Sequence, residues 1–221
     1  MSIKSKISTL FRPYRNRKRQ DYFLKKYGPV KEDFIILSNN CIGGMCYHDA
    51  NKPFLSPTIN LCVEDFLTFI ANAKQYISCE MERVEENECE YPVGVLVPTN
   101  NLPKIKIYFV HYESFDEAKK KWKERCERMY SSNAKLCIIY CVPKNKAFGD
   151  KEIKEFLSIN AYRKLCFYRE LNEFIPKNTS STCFVQIPKK YQSIDYSKYT
   201  GLFSRKRYFD RFFNIFSFLF K

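Results

Sequence analysis

No stretch of this 221-residue sequence has the roughly 20 consecutive apolar residues that a membrane-crossing helix needs. Behind the positive charges of the amino end there is no uninterrupted apolar core, so a secretory leader is not expected. The patterns G-x-x-x-x-G-K-[ST], G-x-G-x-x-G and G-x-S-x-G are missing too, which excludes nucleotide hydrolysis by a P-loop. No internal repeat occurs, and no low-complexity block beyond the two basic ends. Histidine is reduced to His48 and His111, so any histidine-based chemistry has two candidates.

A composition that is 45% hydrophobic and 28% charged is that of a folded domain, read here as one globular unit with appendages. The ten cysteines fit a reducing cytoplasm, where a disulfide framework is not expected. The net charge of +14 sits almost entirely at the ends. Residues 1–31 carry ten Lys/Arg and one acid, and residues 202–221 carry five and one, which leaves the body almost neutral. Three parts follow: a basic arm over 1–31, an α/β domain over 32–201 and a basic aromatic segment over 202–221.

This distribution suits an anionic membrane surface better than a nucleic acid, for which a phosphate-tracking groove across the body would be needed. Phe209, Phe212, Phe213, Phe216, Leu219 and Phe220 recur at helical spacing behind Arg205, Lys206, Arg207 and Arg211, the pattern of an interfacial amphipathic helix. The same pattern also fits a terminal helix docked on the protein's own core. Arg12, Arg15, Arg17, Lys18 and Arg19, interleaved with Phe11, Tyr14 and Tyr22, form a second basic arm. The expected location is cytoplasmic, peripheral on the inner face of the cell membrane.

Within the body, the apolar run Phe34–Leu37 predicts a strand buried on both faces, ended by the turn Asn39-Asn40-Cys41-Ile42-Gly43-Gly44. A helix is predicted over about 62–77, with Glu64 and Asp65 in its first turn. Strands at 91–97 and 105–110, joined by a Pro/Asn-rich turn, predict a hairpin or neighbouring strands. Then come a Ser114-capped helix over 115–130, a strand at 135–142, a helix over about 150–158 and strands at 165–168 and 182–187. The alternation predicts a single three-layer α/β/α domain with a mixed sheet.

Two polar clusters lie at strand ends, where α/β proteins collect ligands. In the first, Cys41 is a candidate nucleophile, Asn39 and Asn40 offer amides, and Gly43 and Gly44 allow close backbone approach. In the second, His111-Tyr112-Glu113 follows the strand at 105–110, and His111 could act as general base. His48 stands near the first cluster. Cys41, Cys46 and His48 could ligate zinc, but paired C-x2-C spacing is lacking and no second cluster supplies a fourth ligand, so no metal is expected.

The ordered series Ser38-Asn39-Asn40-Cys41-x-Gly43-Gly44, Ser56-Pro57-Thr58, Glu64-Asp65-Phe66-Leu67, Tyr91-Pro92-Val93-Gly94, His111-Tyr112 and Glu117-Ala118 with Trp122 and Arg125 resembles the bacterial exopolysaccharide-biosynthesis-like family. That family is a domain of unknown function often encoded among capsule and lipopolysaccharide genes. The resemblance spans about 33–190 and implies a three-layer α/β/α fold and a transferase of surface-polysaccharide assembly. Where the family tends to an Asp-rich turn, this chain has Cys141-Val142-Pro143-Lys144-Asn145. The Asn-Cys turn is also similar to that of a capsule acetyltransferase family, although Ile42 stands where that family has Gln.

Two mechanisms fit. In acyl transfer to a sugar hydroxyl, Cys41 is the nucleophile or part of an oxyanion pocket with Asn39, Asn40 and Gly43, and His111 is the base. In glycosyl or glycosyl-phosphate transfer, His111 or Glu113 is the base and Arg125 or Arg128 neutralises a leaving phosphate. Ser38, Gly44, His48 and Tyr112 complete the expected substrate-binding set. The implied partner is a glycan or lipid-linked sugar with an activated donor, with no resident cofactor. A third reading is a non-catalytic membrane-surface scaffold for other glycan enzymes.

Overall fold

A computed structural model of the chain describes residues 10–86, 89–99, 101–144, 146, 148–170 and 174–221. The first nine residues of the basic arm, Asn100 in the hairpin turn and Asn145 in the turn after the strand at 135–142 lie outside the described residues. The elements run α1 (Arg12–Tyr27), β1 (Phe34–Ser38), α2 (Ile42–Ala50), β2 (Cys62–Val63), α3 (Phe66–Ala71), α4 (Ala73–Ser78), β3 (Glu80–Val84), β4 (Val93–Val97) and β5 (Ile105–Tyr108). They continue with α5 (Phe115–Tyr130), β6 (Lys135–Cys141), α6 (Asp150–Ser158), β7 (Arg163–Tyr168), β8 (Thr182–Gln186) and α7 (Ile215–Phe220).

The strands form an α/β domain with two sheets, one wholly parallel in the order β1-β6-β7-β8 and one wholly antiparallel in the order β2-β5-β4-β3. The mixture of directions expected for one sheet is therefore divided between two. Short turns allow β3, β4 and β5 to pair antiparallel, whereas each parallel step needs a long crossover. β1 is buried along its whole length because both faces of the parallel sheet are covered. Its side chains alternate: Ile35 and Leu37 join the core shared with the antiparallel sheet, α3, α5 and α6, while Phe34 and Ile36 face α2 and the carboxy-terminal segment.

The predicted helix at 115–130 forms with those bounds, and the Ser114 Oγ accepts the Glu117 N–H at 3.3 Å as its cap. The helix expected over 62–77 is instead β2 followed by two short helices. Cys62 and Val63 pair with Tyr108 and Ile107, and the chain breaks at Asn72, whose side chain turns back to the Thr68 carbonyl at 3.1 Å.

The carboxy-terminal aromatics are not a free face. Phe209, Ile215, Phe216 and Leu219 are buried, and Phe212, Phe213 and Phe220 pack against the same core. Phe216 stacks on Phe23 of α1 with ring centroids 4.2 Å apart. The aromatic stripe read as a membrane-facing helix is thus used inside the protein, because α2 and the parallel sheet leave an apolar surface that it covers. The basic arm is likewise a packed helix. Arg19 donates through Nε to Asp49 of α2 at 2.7 Å and through Nη1 and Nη2 to Asp210, tying α1, α2 and the carboxy-terminal segment together. No helix among the described residues is long and apolar enough to cross a membrane.

Candidate active site

The exit of β1 is a tightly tied turn. The Ser38 Oγ donates to the Asn40 carbonyl at 2.5 Å and accepts the Gly43 N–H at 3.1 Å, while Asn40 Oδ1 accepts the Ile42 N–H at 2.9 Å. These contacts satisfy two of the open N–H groups at the start of α2. Asn39 holds the neighbouring strand: its amide donates to the Cys141 carbonyl at 2.8 Å and accepts the Cys141 N–H at 2.9 Å, extending the β1–β6 pairing by one step. The turn read from the sequence is therefore the N-terminal cap of a helix, with Cys41 as the cap residue.

Gly43 is required by proximity. A Cβ there would stand 2.8 Å from the Ser38 Oγ and 3.2 Å from its Cβ, and Ser38 is fully buried. Gly43→Ala is expected to destabilise the fold by about 1–3 kcal/mol through overpacking, measured as a lower urea midpoint with an unchanged slope.

The second cluster sits on the turn after β5. Phe109 is buried and its N–H donates to the Pro92 carbonyl at 2.9 Å; the Tyr112 N–H returns to the Phe109 carbonyl at 3.1 Å, closing the turn that presents His111. Arg125 of α5 braces it from below, with Nη1 donating to the Tyr112 Oη at 2.6 Å and to the Ile59 carbonyl at 3.0 Å. Arg125 is buried, its Nη1 serves both acceptors and its Nε has no hydrogen-bond partner among the described residues, so the side chain supports the His111 turn where a role at a leaving phosphate was expected.

The two clusters meet. His111 Nε2 lies 3.3 Å from Cys41 Sγ, across 70 positions of sequence, where the β1 edge of the parallel sheet faces the β2–β5 side of the antiparallel one. His111 is exposed and Cys41 half-buried, so the pair is open to a ligand from outside. Burial pushes the Cys41 thiol up to about 11, and the neighbouring Cys62 and Asp195 act in the same direction. The resting nucleophile is therefore a protonated thiol that needs a base, rather than a stored thiolate. Alkylation of Cys41 by iodoacetamide should rise about tenfold for each pH unit up to about 11, whereas an ordinary thiol levels off near 9. Peptide mass spectrometry after timed labelling at stepped pH reads the difference.

Cys62, Asp195, Cys141 and Tyr196 also belong to this neighbourhood, none of them among the site residues expected from the sequence. Cys141 is held by side-chain hydrogen bonds from Asn40 and Tyr196, and burial pushes its thiol up to about 11. Cys62 and Asp195 have no local signal that could have found them; only the fold brings them near Cys41.

Other expected site residues fall elsewhere. His48 lies at the far end of α2, about 10 Å along the axis from Cys41, exposed and edge-on to Phe54. Cys46 is buried in the core, so Cys41, Cys46 and His48 do not converge. Glu113 is exposed and lines a surface cavity of about 400 Å³ with Arg83, Glu86 and Asp116. Arg128 faces a cavity with Asp33, before the start of β1 and about 16 Å of strand from Cys41. The oxyanion pocket expected from Asn39, Asn40 and Gly43 is corrected as well, since their polar groups are already bonded within the turn and to β6. The N–H groups of Cys41 and Gly44 at the start of α2 are not claimed by these side chains.

A parallel sheet with a cysteine and a histidine meeting at its carboxyl edge defines an α/β protein with a thiol–imidazole pair. The chain belongs to the family described as "Domain of unknown function (DUF1919)", which matches residues 13–219 and so takes in both α1 and the carboxy-terminal segment. It is also similar to an uncharacterized protein of Haemophilus influenzae, 28% identical over 200 residues that cover 88% of this chain and 90% of that one.

Proposed function

We propose that this protein is an acyltransferase that moves an acyl group to a sugar hydroxyl during assembly of a bacterial surface polysaccharide, at the inner face of the cell membrane. The observation that carries the chemistry is the 3.3 Å approach of His111 Nε2 to Cys41 Sγ. The polysaccharide setting rests on the resemblance of the ordered motifs to the exopolysaccharide-biosynthesis-like family and of the Asn-Cys turn to that of a capsule acetyltransferase family.

As Cys41 Sγ attacks the carbonyl of an activated acyl donor, its proton passes to the unprotonated Nε2 of His111, with the ring's other proton on Nδ1. The tetrahedral oxyanion forms beside the N-terminus of α2, whose partial positive charge favours it. Collapse expels the donor's leaving group, which takes the proton back from His111 and leaves a Cys41 thioester. His111 then accepts the proton of the sugar hydroxyl as its oxygen attacks the thioester, and returns it to the departing thiol. The sum transfers one acyl group and regenerates both side chains.

Glycosyl transfer ranks second because the groups it would use are dispersed: Arg125 is tied to Tyr112 and Ile59, and Arg128 faces a cavity beside Asp33, at the end of β1 away from Cys41. Mass spectrometry of capsule or lipopolysaccharide from a strain carrying Cys41→Ala tests the reading. Loss of an acyl mass per repeat supports it, loss of a sugar in a parallel His111→Ala strain with the Cys41→Ala glycan intact favours the glycosyl route, and a glycan unchanged in both strains favours a scaffold.

A further inference from the structure

With the carboxy-terminal aromatics buried, the question of which surface could meet a membrane returns to the outside of α1. Tyr14, Arg17, Lys18, Leu24 and Lys25 fall on one face of this helix, opposite the buried Arg15, Arg19 and Phe23, and Leu10 stands just before its start. Leu10 is 77% exposed and Leu24 is 55% exposed. The chain just before Arg205 extends the same face. Phe203 is 63% exposed and meets Phe11 edge-on with ring centroids 5.3 Å apart, and the Arg205 guanidinium lies 4.1 Å over the Tyr22 ring. Between α1 and this segment runs a cavity of about 600 Å³ lined by Lys18, Lys25, Lys26 and Arg205 together with Tyr22, Phe203 and Asp21.

We infer that this face, built from the outer side of α1 and residues 202–206, is an anionic-membrane docking surface: Leu10, Tyr14 and Phe203 enter the headgroup boundary, and the lysines and Arg205 meet the anionic headgroups. Large apolar side chains left exposed within a ring of cations are the composition of an interfacial surface. The charge is complementary to a phospholipid surface, and long Lys and Arg stems lie along the apolar layer while their heads reach phosphate. A soluble polyanion would use the cations and leave Phe203 and Leu10 idle. The inference supplies the surface for the membrane location proposed above, and it does not depend on Cys41 or His111.

Deleting 202–221 is an unsuitable test, because it removes Phe209, Phe216 and Leu219 from the core. Point variants of the full chain avoid this: Phe203→Ser with Leu10→Ser, and Lys18→Glu with Lys25→Glu, all at exposed positions. Co-sedimentation with vesicles of equimolar phosphatidylcholine and phosphatidylglycerol is compared with pure phosphatidylcholine. The native chain and its Cys41→Ala variant should bind the anionic vesicles equally, and added salt should weaken both. The charge-reversed variant should lose at least about tenfold in affinity, and the serine variant should fail to bind even at low salt. Equal binding to both vesicle types, or indifference to the two variants, would overturn the inference. So would inorganic pyrophosphate or single-stranded RNA displacing the vesicles while Phe203→Ser has no effect. A Cys41→Ala variant that binds vesicles but leaves the surface glycan unchanged would remove the acyl-transfer reading and leave this one standing.

Discussion

Alanine at either Cys41 or His111 is expected to lower acyl transfer by roughly 10³-fold or more, and the double variant is expected to be no worse than the more damaging single one. The reason is the protonated state of the thiol. With burial, Cys62 and Asp195 all holding Cys41 at about 11, a thiolate at neutral pH is scarce, so attack requires His111 to remove the proton during bond formation. Losing the base and losing the nucleophile therefore block the same event, which is why their effects should not add. Cys41→Ser keeps the shape but replaces the thiol with a hydroxyl that is harder to ionise, and a loss near that of alanine is expected. Steady-state rates with an activated ester, on variants whose circular dichroism and urea midpoints match the parent, provide the check. Additive losses in the double variant would mean that the two residues act separately.

The second large effect falls on stability. Arg19→Met should cost about 3–5 kcal/mol, because it strands the carboxylate of Asp49 inside the protein without its partner. Burial pushes the Asp49 carboxyl above its ordinary value, with the attraction of Arg19 and Arg207 offsetting only part of that cost. For Arg19, burial alone would lower the pKa, but Asp49 and Asp210 outweigh it and hold the guanidinium charged. The ion pair is thus tolerated rather than strongly favoured, and its value lies in joining α1, α2 and the segment around Asp210. The double variant Arg19→Met with Asp49→Leu, which leaves no unpaired charge at Asp49, should recover much of the loss. Differential scanning calorimetry should show a fall in Tm of roughly 10 °C for the single variant and a smaller one for the double. A double variant less stable than the single would mean that the pair itself, and not the unpaired charge, carries the effect.

How much of this could be read in advance follows from where the physical signal resides. β1 and β6 are legible because four or more consecutive apolar residues leave little alternative to a strand covered on both sides. α5 is legible at its start because Ser114 caps it and Asp116 and Glu117 stand in its first turn. α1 is not, since Arg and Lys crowd even its inward side; Arg15 and Arg19 are buried only because Asp49, Tyr199 and Asp210 await them from distant parts of the chain. α2 hides behind Gly43-Gly44, which read as a turn until the Ser38 and Asn40 side chains cap it. β3, Glu80-Met81-Glu82-Arg83-Val84, is an edge strand with only Met81 buried, so no alternation of apolar residues marks it.

The candidate site divides in the same way. Cys41 and His111 could be named because each follows a strong strand signal, and strand ends are where an α/β fold exposes chemistry. That they touch is a tertiary fact. Asn39 and Arg125 hold the fold, a role the sequence does not separate from ligand binding because a polar side chain at a strand end can do either. Only the partners distinguish the cases: the Cys141 backbone for Asn39, and Tyr112 with Ile59 for Arg125.

The account rests most heavily on His111 activating Cys41, and acylation by p-nitrophenyl acetate followed by intact and peptide mass spectrometry tests it directly. The predicted result is a single acetyl group on Cys41, released by added hydroxyl or amine acceptors, with formation slowed about 100-fold or more in His111→Ala. Acetylation that proceeds at the same rate without His111, or that spreads over Cys62, Cys79 and Cys183 as readily as Cys41, would contradict it.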